Sequence, residues 1–272
     1  MKKVLMIGAN SYIGNAFERY INDKYIDNKY INDNTNTSES TITIDKVQAS
    51  NGDWKHVNYE GYDVVLILAA IVHQKEKNSM KELYQSINCD MPVEIAKKAK
   101  AAGVKQLIFM STAAVYGSSV TRITRYTKEL PDTLYGKSKL EAEIKLKVME
   151  TEDFHIAIIR PPMVYGEGCK GNYTRLVKLA TYNPIYPKIH NKRSMIQIDM
   201  LCSFLEEVIE NTGCGTYLPQ DEEYADTIMT IKRIRTIQGK KTIIVPGTAW
   251  LVRIAMKCIG AVRKMFGDWW YE

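Results

Sequence analysis

Lys2-Lys3-Val4-Leu5-Met6-Ile7-Gly8-Ala9-Asn10-Ser11-Tyr12-Ile13-Gly14 is an apolar run, a glycine turn and the start of a helical pattern continued by Ala16, Phe17, Tyr20 and Ile21. The run reads as a short buried strand. Strand, tight turn and helix N-terminus in that order cradle an anion. The first-turn amides have no partner within the helix, and the helix dipole adds positive potential. Glycines at both ends of the turn point to the pyrophosphate of a dinucleotide. Gly8, Asn10, Ser11, Tyr12, Ile13 and Gly14 are therefore candidate cofactor contacts. Ser11 stands where a middle glycine is expected. Its hydroxyl either bonds a phosphate oxygen or crowds the approach of the backbone. A plain turn before a helix is the alternative reading.

Strands and helices alternate beyond it, as a parallel sheet requires. Residues 3–8 read as strand and 12–22 as helix. Residues 23–40, rich in Asn, Asp and Tyr, read as a surface insertion or a ragged helix end. Thr41-Ile42-Thr43-Ile44 is a β-branched strand closing at Asp45, and residues 64–70 form a stronger one. Residues 79–102 predict one long helix with Gly103 as its C-cap signal. Residues 106–110 predict strand, and a helix is expected from Asp132 or Thr133 to about Glu150. Residues 156–159 predict a strand stopped by Pro161-Pro162. The fold expected is α/β, a Rossmann-type doubly wound parallel sheet. Residues 1–165 form the dinucleotide domain, and residues 166–272 a small substrate lobe interleaved with it. Ligands of such sheets sit beyond the carboxyl ends of the strands, where Gly8, Asp45, Ala70, Thr112 and Arg160 fall.

Composition narrows the class. A chain of 272 residues, 45% hydrophobic and 25% charged, buries a sizeable core. Five scattered cysteines argue for reduced thiols in a cytosol rather than a disulfide framework, and the expected location is cytoplasmic. Four isolated histidines show no metal-ligand spacing, so no metal is expected. No leader and no membrane-length apolar run are read. The net charge of +6 suits an anionic ligand such as a nucleotide diphosphate and is too diffuse to argue for nucleic acid.

Two motifs carry the chemistry. Ser111-Thr112-Ala113-Ala114-Val115-Tyr116-Gly117 closes a strand, and Tyr135-Gly136-Lys137-Ser138-Lys139 lies in the next helix. Tyr135 and Lys139, four apart, share one helix face. A phenol, with its ordinary pKa of about 10, is a poor base near neutrality, and a cation one turn away favours its ionised form. The Thr112 hydroxyl then completes a proton path to a substrate alcohol. An ordinary helix surface bearing a Tyr and a Lys is the other reading, and the order of parts around the pair favours chemistry.

That order resembles the extended short-chain dehydrogenases/reductases, in the branch of NAD-dependent nucleotide-sugar epimerases and dehydratases that includes the UDP-glucose/galactose 4-epimerases. The residues carrying it are Gly8–Gly14, Val64–Ala70, Asn88, Ser111–Gly117, Tyr135, Lys139, Arg160–Gly166 and Arg193-Ser194-Met195-Ile196-Gln197-Ile198-Asp199. The likeness covers roughly residues 1–218. It implies that Tyr135 is the acid/base, that Lys139 tunes it and holds the nicotinamide ribose, and that Thr112 orients the reacting hydroxyl. Leu68, Ala69 and Ala70 would line the nicotinamide ribose, and Pro162 would pack on the nicotinamide. Asn88 would fix a strand end, while Asp53 and Trp54 would border the adenine. Asp45, if it ends the second strand, accepts the ribose hydroxyls and repels a 2′-phosphate, which favours NAD over NADP. It lies beyond the ~20-residue spacing expected, and the 23–40 stretch accounts for the excess. On the substrate side, Arg193 would bind the diphosphate of a nucleotide sugar. His73, Met163 and Asn172 are further candidates, and Met163 replaces an Asn that some epimerases carry there. A homodimer through two long helices per subunit and a role in cell-envelope polysaccharide synthesis are also implied.

Relatives that eliminate water carry Asp-Glu after the Ser/Thr. Here those positions are Ala113 and Ala114, and methyl groups cannot transfer protons. A 4,6-dehydratase is disfavoured. A 4-epimerase with tightly held NAD, a ketosugar reductase or dehydrogenase, and a non-catalytic dinucleotide sensor remain. Residues 247–266 read as an amphipathic helix with Leu251, Ile254, Ala255, Cys258, Ile259, Val262 and Phe266 on one face. It either packs on the substrate lobe or meets a membrane carrying lipid-linked sugars.

Overall fold

Val4–Ile7 are wholly buried in β1 (Lys2–Ile7), an inner strand of a parallel sheet. The structure, a computed structural model, describes residues 1–31, 42–72 and 76–272. From β1 the chain runs through α1 (Tyr12–Ile31), β2 (Ile42–Val47), β3 (Val64–Ile67), α2 (Lys81–Gln85), α3 (Met91–Ala101) and β4 (Gln106–Met110). It continues through β5 (Arg122–Ile123), α4 (Leu134–Lys147), β6 (His155–Ile159), β7 (Met163–Tyr165), α5 (Asn172–Tyr182), β8 (Ile185–Pro187) and β9 (Met195–Gln197). The last elements are α6 (Ile198–Glu210), β10 (Gly215–Tyr217), α7 (Thr227–Ile237), β11 (Ile243–Val245), α8 (Ala249–Cys258), α9 (Gly260–Phe266) and β12 (Trp270–Tyr271).

Six parallel strands lie in the order β10-β6-β4-β3-β1-β2. The apolar runs of β3, β4 and β6 are continuous because both faces of the sheet are covered. On one face, the α1 and α6 residues Phe17, Ile21, Leu201 and Leu205 pack on Val4, Met6 and Leu66. On the other, Ile95, Ala96, Ala142 and Leu146 of α3 and α4 pack on Leu5, Val65 and Leu107. This is the expected Rossmann-type arrangement. The chain leaves β1 toward β2 and then crosses to β3 on the other side. The β1/β3 boundary is therefore the switch point where a ligand crevice opens.

The smaller lobe comes from β7/β9, β8/β11, α5, α7, α8 and α9. Leu176, Ala180, Tyr186, Ile228 and Ile231 form its core. Arg235 is buried there and donates to the carbonyls of Ala180, Asn183 and Lys241 at 2.5–3.1 Å. The end of the chain returns to the larger domain. β12 pairs with β5, and the Tyr271 hydroxyl donates to the Arg160 carbonyl at 2.7 Å.

Four expectations change. α1 runs on to Ile31, into the stretch read as an insertion, and residues 32–41 lie outside the described residues. β2 does not close at Asp45 but continues to Val47. The long helix of 79–102 is interrupted by a π-turn, Ser86–Asp90. Pro92 lacks an N–H and its ring would clash with the carbonyl four residues back, at Asn88, so the helix admits an extra residue there. The helix of 247–266 is two helices broken at Ile259-Gly260. Among the described residues no helix is long and apolar enough to cross a membrane.

Candidate active site

Gly8 takes φ +91°, and a Cβ on it would lie 2.4 Å from the Ala69 amide nitrogen. Only glycine admits that approach between the β1 turn and the end of β3. A Cβ on Gly14 would lie 2.7 Å from the Ala9 carbonyl oxygen, so the start of α1 is equally close to the turn. Ser11 caps α1, its hydroxyl oxygen accepting the Gly14 N–H at 3.1 Å, and this explains a serine where a glycine was expected. Tyr12 turns its phenol toward the Gly166 loop, where the oxygen is buried without a hydrogen-bond partner among the described residues. Burial pushes that phenol up to about 12. What Tyr12 and Ile13 offer an anion is their backbone N–H at the helix start. Asn10 is exposed at the turn.

Across the switch point, Leu68 and Ala69 are buried and their amides donate to the Ile7 carbonyl at 2.9 and 3.2 Å. Ala70 is half-buried beside them. Asn88, wholly buried in the π-turn, accepts the Ile71 N–H at 2.8 Å and donates to the Ile71 carbonyl and to the Ser138 hydroxyl, each at 3.2 Å. Ser138 in turn donates to the Tyr135 carbonyl at 3.0 Å. The polar residue inside the π-turn thus ties the end of β3 to α4.

Thr112, Tyr135 and Lys139 converge beyond β4. The Thr112 hydroxyl oxygen accepts the Ala114 N–H at 3.1 Å, and its side chain lies near enough to the Tyr135 phenol to act on its pKa. The Lys139 ammonium donates to the Met110 carbonyl at 2.8 Å and sits 4.3 Å from the centre of the Phe109 ring. Burial pushes the Tyr135 phenol up to about 12, against a downward pull from Thr112. The Lys139 ammonium points back into the end of β4, and its own pKa falls to about 7 because burial outweighs the Glu143 charge. Pro162 is buried, and the neighbouring Pro161 carbonyl accepts the Ala113 N–H at 3.1 Å.

The docking of α4 is tight. A Cβ on Gly136 would lie 2.6 Å from the Ala114 carbonyl oxygen. Gly136→Ala should lift the helix off the 112–116 turn and separate Tyr135 from Thr112. A denaturant titration should show a loss of about 1–3 kcal/mol, as overpacking costs, and turnover should fall as well. Thr133 caps the helix at Gly136 N–H, 3.0 Å, and Glu76 accepts the N–H groups of Leu134 and Tyr135 at 2.8 and 3.1 Å. A carboxylate there also stabilises the helix N-terminus. No local pattern marked Glu76, which lies 58 residues before Leu134.

Other candidates fall elsewhere. Asp45 pairs with Leu5, two residues short of the end of β2. Its carboxylate accepts the Tyr62 hydroxyl at 2.7 Å and lies 3.4 Å from the Lys3 ammonium. A hydrogen bond from Tyr62, and then Lys3, hold its pKa below the usual carboxylate value despite some burial. Since the strand runs on to Val47, Asp45 is not at the ribose position, and discrimination between NAD and NADP cannot rest on it. Trp54 is packed in the core. Asp53 is exposed and accepts the Asn51 amide at 2.5 Å. Met163 is half-buried in β7, and Asn172 is exposed at the start of α5. Arg193 donates to the Gly267 carbonyl at 3.0 Å, and burial lowers its pKa against the charge of Asp268. It is held by the C-terminal segment. Arg233 of α7, unmarked in the sequence, faces Tyr165 and Tyr173 closely enough to act on both phenols. His73 lies outside the described residues.

The profile of the NAD dependent epimerase/dehydratase family matches residues 4–187. The chain belongs to that family. A UDP-glucose 4-epimerase of Vibrio cholerae is 28% identical over 208 residues, 72% of this chain and 63% of that protein. An N-acetyl-alpha-D-glucosaminyl-diphospho-ditrans,octacis-undecaprenol 4-epimerase of Escherichia coli O157:H7 is 28% identical over 160 residues, 57% of this chain and 48% of that protein. The match thus spans about half to under two thirds of these relatives. Among solved structures, a Bacillus cereus UDP-glucuronic acid 4-epimerase in complex with NAD superposes with TM-score 0.69 at 18% identity, over 99% of this chain and 89% of that one. A Clostridium acetobutylicum dTDP-4-dehydrorhamnose reductase gives 0.68 at 19%, over 90% and 83%. At such identities the likeness is one of fold.

NAD is the family's cofactor, and this cleft fits it. The glycines let the turn after β1 close on Ala69 and on the start of α1, and the first-turn amides of α1 suit a pyrophosphate there. Lys139 also makes a prediction for the chain alone. Its pKa is depressed from 10.5 to about 7 in the folded state. Above pH 7 the folded chain gives up a proton that the unfolded chain keeps, so stability rises with pH from there toward 10. Denaturant midpoints at pH 7.5 and 9.5 should rise for the native chain. The rise should be smaller in Lys139→Met; parallel behaviour of the two would contradict the assignment.

Proposed function

We propose that this chain is an NAD-dependent 4-epimerase acting on a diphosphate-linked sugar, most simply a nucleotide sugar. The observation that carries the reading is the closeness of Thr112 to Tyr135 beyond β4, at the same edge of the parallel sheet as the glycine turn of β1. Bound NAD supplies a hydride acceptor that returns the hydride within the same turnover. Tyr135 takes the proton of the C4 hydroxyl and gives one back, and Thr112 holds that hydroxyl in line. With its pKa near 12 the free phenol is a donor; a positive charge brought into the cleft lowers it toward use as a base. Lys139, through Met110, holds the end of β4 against α4. Ala113 and Ala114 offer no group for eliminating water, so the oxidised sugar keeps its substituents.

On this reading the substrate diphosphate lies toward the lobe, where Arg193 and Arg233 supply charge. Two copies pair through α3 and α4, and the enzyme works in the cytoplasm on polysaccharide precursors. Incubation with a panel of UDP- and dTDP-hexoses, followed by proton NMR, tests the reading. Interconversion of C4 epimers without added cofactor supports it. Stoichiometric consumption of NADH with a ketosugar marks a reductase instead, and unchanged sugars with NAD bound mark a sensor.

A further inference from the structure

The cations of this chain are unevenly placed. Residues 227–267 contain nine Lys and Arg and no Asp or Glu, while the other 231 residues carry 28 cations against 31 acids. Arg235 is caged by carbonyls, but Arg253, Lys257, Arg263 and Lys264 of α8 and α9 are exposed, as is Arg233 of α7. Among them Trp250, Leu251, Ile254 and Ile259 are each 50–59% exposed. The inner side of these helices is already satisfied, because Val252, Met256 and Phe266 pack on the lobe core. The face read as inward from the sequence is thus split, with Phe266 inside and Leu251, Ile254, Cys258 and Ile259 outside. On α8 the outward apolar positions 251, 254 and 258 follow the helical period. Apolar residues on one face, rimmed by cations and lacking acids, are what an interfacial helix shows.

Two further observations agree. A hollow of about 450 Å³ opens between α7 and β11, lined by Lys232, Lys240 and Lys241 with Thr236 and Thr242. The exposed Ile237 and Ile243 lie next to that lining in the chain. The same lobe therefore pairs a cationic recess, suited to a phosphate headgroup, with apolar residues. In addition, Lys264 of α9 lies near enough to Asp132 for its charge to act there. Burial opposes ionisation of Asp132, and the Ser118 hydrogen bonds and then the Lys264 charge more than offset it. Asp132 immediately precedes Thr133, the cap of α4.

We propose that the outer face of α8 and α9 docks in the headgroup layer of an anionic bilayer, with Trp250, Leu251, Ile254 and Ile259 entering it and Arg253, Lys257 and Arg263 meeting lipid phosphates. The docking does not depend on the epimerase reading, and its test has no enzymatic readout.

The full chain is sedimented with phosphatidylcholine vesicles, and with vesicles in which about a third of the lipid is phosphatidylglycerol, at low and high salt. Binding to the anionic vesicles, its release by salt, and a blue shift of tryptophan emission are expected. The triple variant Leu251→Gln, Ile254→Gln, Ile259→Gln removes no core contact, so it should keep the native melting midpoint and lose binding by about tenfold or more. Arg253→Gln with Lys257→Gln should weaken binding to the anionic vesicles in particular. No binding at low salt, or equal binding by the triple variant, would overturn the proposal. So would self-association that the triple variant abolishes without any lipid binding, since the face would then join copies of the chain.

Discussion

Tyr135→Phe should keep its dinucleotide and its fold while losing about 10²- to 10⁴-fold in turnover, the range that a positioned acid/base contributes. The ring stays, so packing around α4 changes little. What is lost is the hydroxyl whose pKa Thr112 acts on. NAD binding, read by tryptophan fluorescence quenching, should differ by less than a few-fold. Thr112→Val should act in the same direction with a smaller loss, because it removes the orienting partner and leaves the acid/base. The pH profile separates a proton-transfer role from a packing role. The phenol is held up to about 12 in the free chain, so the native rate should climb with pH through the neutral range until some bound charge lowers that value. Residual turnover in Tyr135→Phe should lose that climb. A fully active phenylalanine variant would remove Tyr135 from the chemistry.

Glu143→Gln should produce the largest loss of stability, about 3–5 kcal/mol, as expected when one partner of a buried ion pair is removed. Glu143 is wholly buried in α4, and Arg160, at the end of β6, is 2% exposed. The guanidinium donates to both Glu143 carboxylate oxygens at 2.5–3.2 Å and to the Tyr116 hydroxyl at 2.7 Å. Ser111 also donates to Glu143, and Glu129 lies 2.8 Å from Arg160. One carboxylate therefore joins α4, β4 and β6 beneath the site. Neutralising it leaves Arg160 desolvated with only the half-exposed Glu129 as counter-charge. The double variant Glu143→Leu with Arg160→Met should recover much of the loss, since apolar groups of similar size satisfy the same space. Guanidinium unfolding of the three proteins checks both statements. A loss below about 1 kcal/mol for Glu143→Gln would mean that water reaches the pair, as at a surface site.

The parts of the site that were legible in the sequence are those set by local spacing. The β1 turn announces itself through an apolar run ending in Gly8, and the Tyr135–Lys139 pair through one helical turn. The strand ending at Met110 brings Thr112 to them because ligands of parallel sheets gather at one edge. What escaped is set by register and by distant partners. Asp45 looked like a strand end because the polar residues Asp45 and Lys46 interrupt the apolar pattern. β2 nevertheless continues to Val47, whose carbonyl accepts the Gly8 N–H at 2.9 Å. The π-turn at Asn88 depends on Pro92 together with the pull of Ile71 and Ser138, and periodicity alone cannot show it. Glu76 caps α4 from another loop, and the direction in which Lys139 points is decided by the Met110 carbonyl. The amphipathic pattern of 247–266 was visible, but which half of it packs inward depends on where the lobe core lies.

We propose that Thr112 and Tyr135 serve reversible oxidation at one sugar carbon beside bound NAD. Incubating the chain with UDP-hexoses deuterated at C4 and following the products by NMR tests it most directly. C4 inversion with the deuterium retained at C4, no net consumption of cofactor, and loss of inversion in Tyr135→Phe are expected. Sugars unchanged across the panel, or inversion accompanied by loss of the C4 deuterium to solvent, would contradict it.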